Sequence, residues 1–320
     1  MKNAALALLA LLCLSCDNSD PDEGNARDYR QDMRDFVIGI SQKAKTGSTP
    51  FYVIPQNGIE LVTVGEDNPA PHTAYLNAID GNGQEDLLYG YDNDNDATPF
   101  ETTAYLKNLL NIPKAAGKTI LVTDYCSTPS KMTGSYQANA ASGYVSYAAQ
   151  ERDLNVIPQG QPNNVNNAVV TTLSQAKNFL YLINSENYST KQAFINAVKA
   201  TDYDLVIIDL FVNEEMLTAA DVAQLSSKAN GGKRLVICYM SIGEAEDYRY
   251  YWDNAWSSSK PQWISAENPD WPGNYKVKYW DEEWQGIIYK NSDSYLSKIT
   301  AAGFDGVYLD IIDAFEYFEE

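Results

Sequence analysis

The sequence is poor in the residues from which many catalytic sites are built. It has a single histidine, His72, among 320 residues. A Ser-His-Asp triad has to use it, and every site with two or more histidine ligands is excluded. Cysteine is scarce as well. Of the four, Cys13 and Cys16 fall in a leader segment, and Cys126 and Cys238 stand apart with no CxxC pair. A zinc ribbon and a thioredoxin-type site are therefore excluded, and no cofactor or metal is expected. Bases are outnumbered, 23 against 43 acids, for a net charge of −20. Phosphate backbones need clustered Lys and Arg, so nucleic acid is not an expected partner. After the leader, no run is apolar enough to cross a membrane.

The leader itself, residues 1–16, reads MKNAALALLALLCLSC. One Lys precedes an apolar run from Ala4 to Leu14, the pattern of a signal peptide. Leu14-Ser15-Cys16 resembles a bacterial lipobox, with Cys13 where Leu is usual, and makes Cys16 the expected lipidated residue. Ordinary secretion with cleavage near Ser15 is the plain alternative. Residues 17–25 are acidic and read as a tether. The expected location is the bacterial cell envelope, periplasmic or surface-exposed. The membrane is touched only through the anchor, and the expected state is a monomer.

Eight short apolar runs punctuate residues 26–320: 51–54, 75–79, 119–123, 143–148, 178–183, 205–208, 234–240 and 306–309. Several are continuously apolar, as expected for parallel strands covered on both faces. Helical patterns over 25–45, 98–116, 189–200, 218–229 and 282–302 lie between most of them. Strands alternating with helices imply an α/β fold, and eight strands imply a single (β/α)8 TIM barrel. An open doubly wound sheet is the alternative, disfavoured because no Gly-rich phosphate loop follows any strand. The chain opens with a helix that has no strand before it and ends after a strand with no helix behind it. A circularly permuted barrel resolves both, with the polar stretch 159–167 as the joint between former ends. Cys126 and Cys238 belong to the third and seventh strands, nearly opposite, so two free thiols are expected.

In such a barrel the active site lies at the C-terminal ends of the strands. The residues after each run are Gln56 and Asn57; Asp80 and Glu85; Asp124 and Tyr125; Asn184; Asp209; Ser241, Glu244 and Glu246; Asp310 and Asp313. Asp204 and Asp305 precede their strands and read as structural. Acids at one rim suit glycosidic cleavage, where one carboxylic acid protonates the leaving oxygen and a carboxylate attacks the sugar or activates water. A solvated acidic rim or a calcium site fits the same clustering. All six Trp fall between 252 and 284. This segment should cover the same rim, where exposed rings stack on sugars, although half or more of these Trp suit a satellite core. His72, in a loop with Pro69 and Pro71, reads as a surface residue.

Three segments carry a resemblance: MSIGEAEDYRYYW (240–252), WPGNYKVKYWDEEWQ (271–285) and GFDGVYLDIIDAFEYFE (303–319). Together they resemble the bacterial branch of the endo-α-1,4-polygalactosaminidase family, glycoside hydrolase family 114, some of whose members are labelled cysteinyl-tRNA synthetase-related. The resemblance covers nearly the whole mature chain in rotated order, with 27–45, 51–58 and 78–90 matching segments that follow the YLDIID strand in the family. It implies Asp310 and Glu85 as the catalytic pair: Asp310 as nucleophile or charge stabiliser, Glu85 as general acid/base, the roles being exchangeable. It further implies that Asp209, Tyr239, Glu244, Asp313, Gln56 and Asn57 shape the sugar subsite or hold the pair. The strand exits and the aromatic loop add Asp124 and Trp252. The expected substrate is an α-linked, amino-sugar polysaccharide or oligosaccharide cut by a two-carboxylate mechanism. The rival is a non-catalytic glycan-binding lipoprotein on the same barrel.

Overall fold

The computed structural model describes residues 27–319 apart from Ser48 and Glu66. The leader, Cys16 and the tether lie outside the described residues. Eight parallel strands form the centre: β1 (Tyr52–Pro55), β2 (Gly81–Glu85), β3 (Thr119–Tyr125), β4 (Val145–Ala149), β5 (Leu180–Leu182), β6 (Leu205–Ile208), β7 (Leu235–Ser241) and β8 (Gly306–Asp310). One sheet runs β5-β6-β7-β8-β1 and another runs β2-β3-β4. A parallel bridge between Gln56 and Gly83 joins them. Beyond the outer strands, Tyr147 of β4 and Phe179 beside β5 bring their rings to 5.7 Å.

Seven of the eight expected strands are present within two or three residues of their apolar runs. The exception is the second. Residues 75–78 are helical, in a segment Thr73–Ala78 capped by His72, whose Nδ1 accepts from the Tyr75 amide at 3.2 Å. The strand follows as GNGQE, with no large apolar side chain. Its polarity has a packing cause. A Cβ on Gly83 would lie 2.0 Å from the hydroxyl oxygen of Tyr308 on β8, so Tyr308 occupies the space that a side chain on β2 would fill. The shift also moves Asp80 to the N-terminal end of β2, where it accepts from the Val53 amide at 2.8 Å. Asp305 does the same for Val236 at 2.8 Å and Asp204 for Lys177 at 2.9 Å. The latter two acids were expected at this face.

Helix α1 (Tyr29–Ala44) buries Met33, Phe36, Val37 and Ile40. It docks beside the C-terminal segment: Arg30 pairs with Glu319 at 3.0 Å, and the rings of Tyr29 and Phe318 lie 5.5 Å apart. The pattern 282–302 is not one helix. It breaks at Asn291, whose extended backbone ends the first part, and restarts at Tyr295 under the Ser294 cap. Helix α2 (Pro129–Ala141), after β3, has no clear apolar period because its inner face carries Ser135 and Asn139. After β7, strands Glu244–Glu246, Asn274–Val277 and Ile264–Glu267 make a small antiparallel sheet. It rests on a chain of indoles, Trp252–Trp256–Trp263–Trp284, with centroids 5.1 to 5.3 Å apart. Cys126 and Cys238 are both free and buried.

Replacing Gly83 by Ala forces a methyl into Tyr308, and overpacking of this kind costs ~1–3 kcal/mol. Thermal or urea unfolding should show that loss. Tyr308→Leu, which vacates the space, should restore part of it; equal stability of G83A and the native chain would contradict the packing.

Candidate active site

The C-terminal ends of the strands surround an open cavity of about 900 Å³. At its floor Glu85, the last residue of β2, faces Asp310, the last residue of β8. One amide holds both. Gln56 Nε2 donates to Glu85 Oε2 at 2.6 Å and to Asp310 Oδ1 at 3.0 Å. Those two oxygens share one nitrogen, so they are at most 5.6 Å apart. The amide is itself oriented, because Gln56 Oε1 accepts from the Tyr181 hydroxyl at 3.0 Å.

Each carboxylate has further donors. Asn57 Nδ2 reaches Glu85 Oε2 at 3.0 Å, and the Tyr125 hydroxyl makes a short bond to Oε1. Tyr239 donates to Asp310 Oδ2 at 2.6 Å. The rings of Tyr181, Tyr239 and Tyr308 pack below the pair, with Tyr181 5.3 Å from Tyr308 and 6.5 Å from Tyr239. Strand geometry makes this layer: Tyr239 lies opposite Tyr308 and Ser241 opposite Asp310 in the β7–β8 register. The residue after each of Gln56, Glu85 and Asp310 is left-handed: Asn57, Asp86 and Ile311, with φ of 58°, 56° and 59°. That conformation turns the chain outward directly after each site residue. In Ile311, a β-branched residue, it is strained.

The expected residues divide by location. Gln56, Asn57, Glu85, Asp209, Tyr239, Glu244, Asp310 and Asp313 all line the cavity; Asp124 and Trp252 do not. Asp124 is wholly buried outside it, accepting from the amides of Leu88 and Tyr89 and from Ser135 and Asn139 at 2.6 and 3.0 Å. Its neighbour Tyr125 points in instead, as the period-two alternation of a strand requires. Trp252 stacks on Tyr275 at 5.0 Å within the satellite core, while Trp271, 55% exposed, lines the cavity. Tyr125 and Glu246, placed at the strand exits from sequence but given no role, also line it, as do Arg152, Tyr181 and Arg249, which sequence reasoning missed. Arg249 pairs with Asp209 at 2.6 Å and also with Glu246, so Asp209 is a neutralised wall residue. Glu244 bonds Asn268 at 2.8 Å through Oε1, and its buried Oε2 has no partner.

Burial raises all three floor acids. It pushes Glu85 up to about 7, with repulsion from Asp310 second. Asp310 rises to about 6, opposed by the Tyr239 bond. Asp313 rises to about 7, with Asp310 again the next cause. A carboxyl held above its unfolded value costs folding energy once it ionises. For Asp310 that cost builds as pH rises from its ordinary value of 3.8 to about 6 and is fully present above. Asp310→Asn should therefore melt higher than the native protein at pH 8, and the difference should shrink as pH falls from 6 toward 4. The gain is of order 1 kcal/mol, since the carboxyl opens on the cavity and solvent screens part of the cost. Lower stability of the variant at pH 8 would contradict this reading.

A model of glycoside-hydrolase family GH114 matches residues 159–320. An uncharacterized protein of Methanocaldococcus jannaschii is 41% identical over 159 residues, 49% of this chain and 44% of that one. One from Deinococcus radiodurans is 42% identical over 125 residues, 39% of this chain and 38% of its own. One from Thermotoga maritima is 49% identical over 84 residues, 26% and 25% of the two chains. Each match takes in less than half of the relative's length. The family match holds β5 to β8 with Asp209, Tyr239, Glu244, Asp310 and Asp313; Gln56, Asn57 and Glu85 precede it. Matched over half its length and carrying Asp310 within that half, the chain belongs to glycoside-hydrolase family GH114.

Proposed function

We propose that the protein is a retaining glycosidase that cuts an α-linked, amino-sugar polysaccharide internally, with Asp310 as nucleophile and Glu85 as acid/base. The carrying observation is the pair itself. Two carboxylates share one amide nitrogen, with oxygens at most 5.6 Å apart. Retaining enzymes hold their carboxyls ~5–5.5 Å apart, whereas inverting ones leave ~6.5–9.5 Å for a water.

The steps follow from the donors. Glu85, raised to about 7, gives its proton to the leaving glycosidic oxygen as that C–O bond breaks. Asp310, kept anionic by Tyr239 and Gln56, forms the bond to the anomeric carbon. Glu85, now a carboxylate, then takes a proton from water. The water oxygen attacks the same carbon and releases Asp310. Activity needs Asp310 ionised and Glu85 protonated, so kcat/KM should peak between the two raised values, near pH 6–7. The two protons leave as a pair, so the limbs belong to the pair.

Charge supports the amino-sugar reading. Nine carboxylates line the cavity against two arginines. Exposed Trp271, with Tyr248 at the rim, offers ring faces to successive sugars. Chain order supports a closed, circularly permuted barrel. Strands follow one another as β5-β6-β7-β8-β1-β2-β3-β4 through the Gln56–Gly83 bridge. The family match begins at 159, inside the polar joint, and a rotated chain aligns with an unrotated relative over only part of its length. We extend the proposal to lipid attachment at Cys16 and an envelope location, supported by the Leu14-Ser15-Cys16 sequence. Metabolic labelling with palmitate, lost in Cys16→Ala, tests that attachment; unlabelled native protein would contradict it.

The activity is tested on α-1,4-linked galactosamine oligomers beside N-acetylated and neutral glycans. The native protein should release shorter oligomers. Asp310→Asn should remove turnover, and Glu85→Gln should lower it ~10²–10⁴-fold. Azide should rescue Asp310→Gly as the inverted glycosyl azide and Glu85→Ala as the retained one, which fixes the roles. Glycan binding without turnover by the native protein would favour the binding-protein alternative.

A further inference from the structure

Arg152, in the loop after β4, is tied more firmly than a rim residue needs to be. Its Nη2 donates to Asp86 Oδ1 at 3.0 Å and to the Gly90 carbonyl at 2.9 Å, and its Nε meets Asp94 Oδ1 at 2.6 Å. Thus pinned, the guanidinium lies over Tyr125, 3.9 Å from the ring centroid. The clamp needs Gly90. At its φ of 115°, an added Cβ would lie 2.1 Å from Asp86 Oδ1 and 3.0 Å from Arg152 Nη2. On its far side Tyr125 donates its hydroxyl to Glu85 Oε1. A cation on the face of a phenol draws charge from the ring and makes its O–H the better donor. A better donor favours the ionised form of the carboxylate that accepts it.

We propose that Arg152 is a positioning residue for the reaction: seated on Tyr125, it sets through that phenol how tightly Glu85 holds its proton. This rests on the reading of Glu85 as the acid/base. The groups facing Glu85 are Asp310 on β8, Tyr125 on β3, Asn57 and Gln56 after β1, and Asp86 beside it. Those facing Tyr125 are Glu85, Arg152 and Asp86. Two effects have one sign. Without Arg152, Tyr125 becomes a weaker donor and Asp86 loses its counter-charge. Each raises the pH at which Glu85 gives up its proton. The arrangement keeps the group acidic enough to release a proton to the leaving oxygen in the first step. It also lets Glu85 remain an effective base in the second.

The test uses the intact protein labelled with ¹³C at the glutamate side-chain carboxyls, the Glu85 signal being identified by its loss in Glu85→Gln. This titration needs no substrate, so it stands or falls apart from the proposed activity. Arg152→Gln should move the Glu85 midpoint up by about 0.5–1 pH unit, the shift expected of a partly desolvated cation–π contact. Arg152→Lys, which keeps the charge but loses the planar stack, should move it less. In a Tyr125→Phe background, Arg152→Gln should shift it by less than half as much. With a turning-over substrate, the upper limb of kcat/KM should move by the same amount. An unmoved midpoint would overturn the proposal, and so would an equal shift in the Tyr125→Phe background. A change in KM alone would overturn it too and make Arg152 a substrate contact instead.

Discussion

The site depends on one amide. Glu85 and Asp310 end the strands on either side of β1, and burial together with mutual repulsion works against their ionising side by side. Gln56 Nε2 donates to both and holds them close together. An amide suits that post better than a cation. A Lys or Arg would pull both acids down and leave neither with a proton to give. Gln56 bridges them with no charge of its own, and Tyr181 prevents the amide from turning its oxygen toward the pair.

Around that amide the parallel strands are used unequally. Strands β5, β7 and β8 supply tyrosines to a floor beneath the carboxylates, and β2 gives up side-chain volume so that Tyr308 fits. The exits of β1, β2 and β8 each turn through a left-handed residue. Stability is given up around the cavity, in a strained Ile311 and in three acids held above their usual range. The acidic wall is only partly neutralised. Arg249 covers Asp209 and Glu246 and Lys276 lies 3.5 Å from Glu244, while Asp310 and Asp313 have no basic partner among the described residues. The excess of acids over bases around the cavity supports the proposed cationic sugar.

Much of this is legible in the sequence because burial leaves a mark. Seven strands read as apolar runs, since both of their faces are covered. β2 does not, because its inner face is occupied by a residue 225 positions away, and glycine is what such a strand requires. The assignment of Glu85 comes from resemblance, which does not depend on hydrophobic pattern, and so it is untouched by the misplaced strand. At the end of β3 the pattern is available: alternation from Leu121 through Thr123 places Tyr125 inside and Asp124 outside. The charge of Asp124 draws attention that its buried partners explain. Among the tryptophans, sequence alone does not separate Trp271 at the cavity from Trp252 in the satellite core, because both sit in one aromatic-rich segment. Arg152 carries no sequence signal. It reaches the site through Asp86, Asp94 and Tyr125, which only the fold assembles.

The central claim is that Asp310 attacks the sugar while Glu85 supplies the proton. Intact-protein mass spectrometry after brief exposure to a fluorinated, slow-turnover α-galactosaminyl donor tests it most directly. The account predicts a single glycosyl adduct, mapped by peptide analysis to Asp310 and absent in Asp310→Asn. Turnover with no adduct, and a product of inverted anomeric configuration, would contradict it.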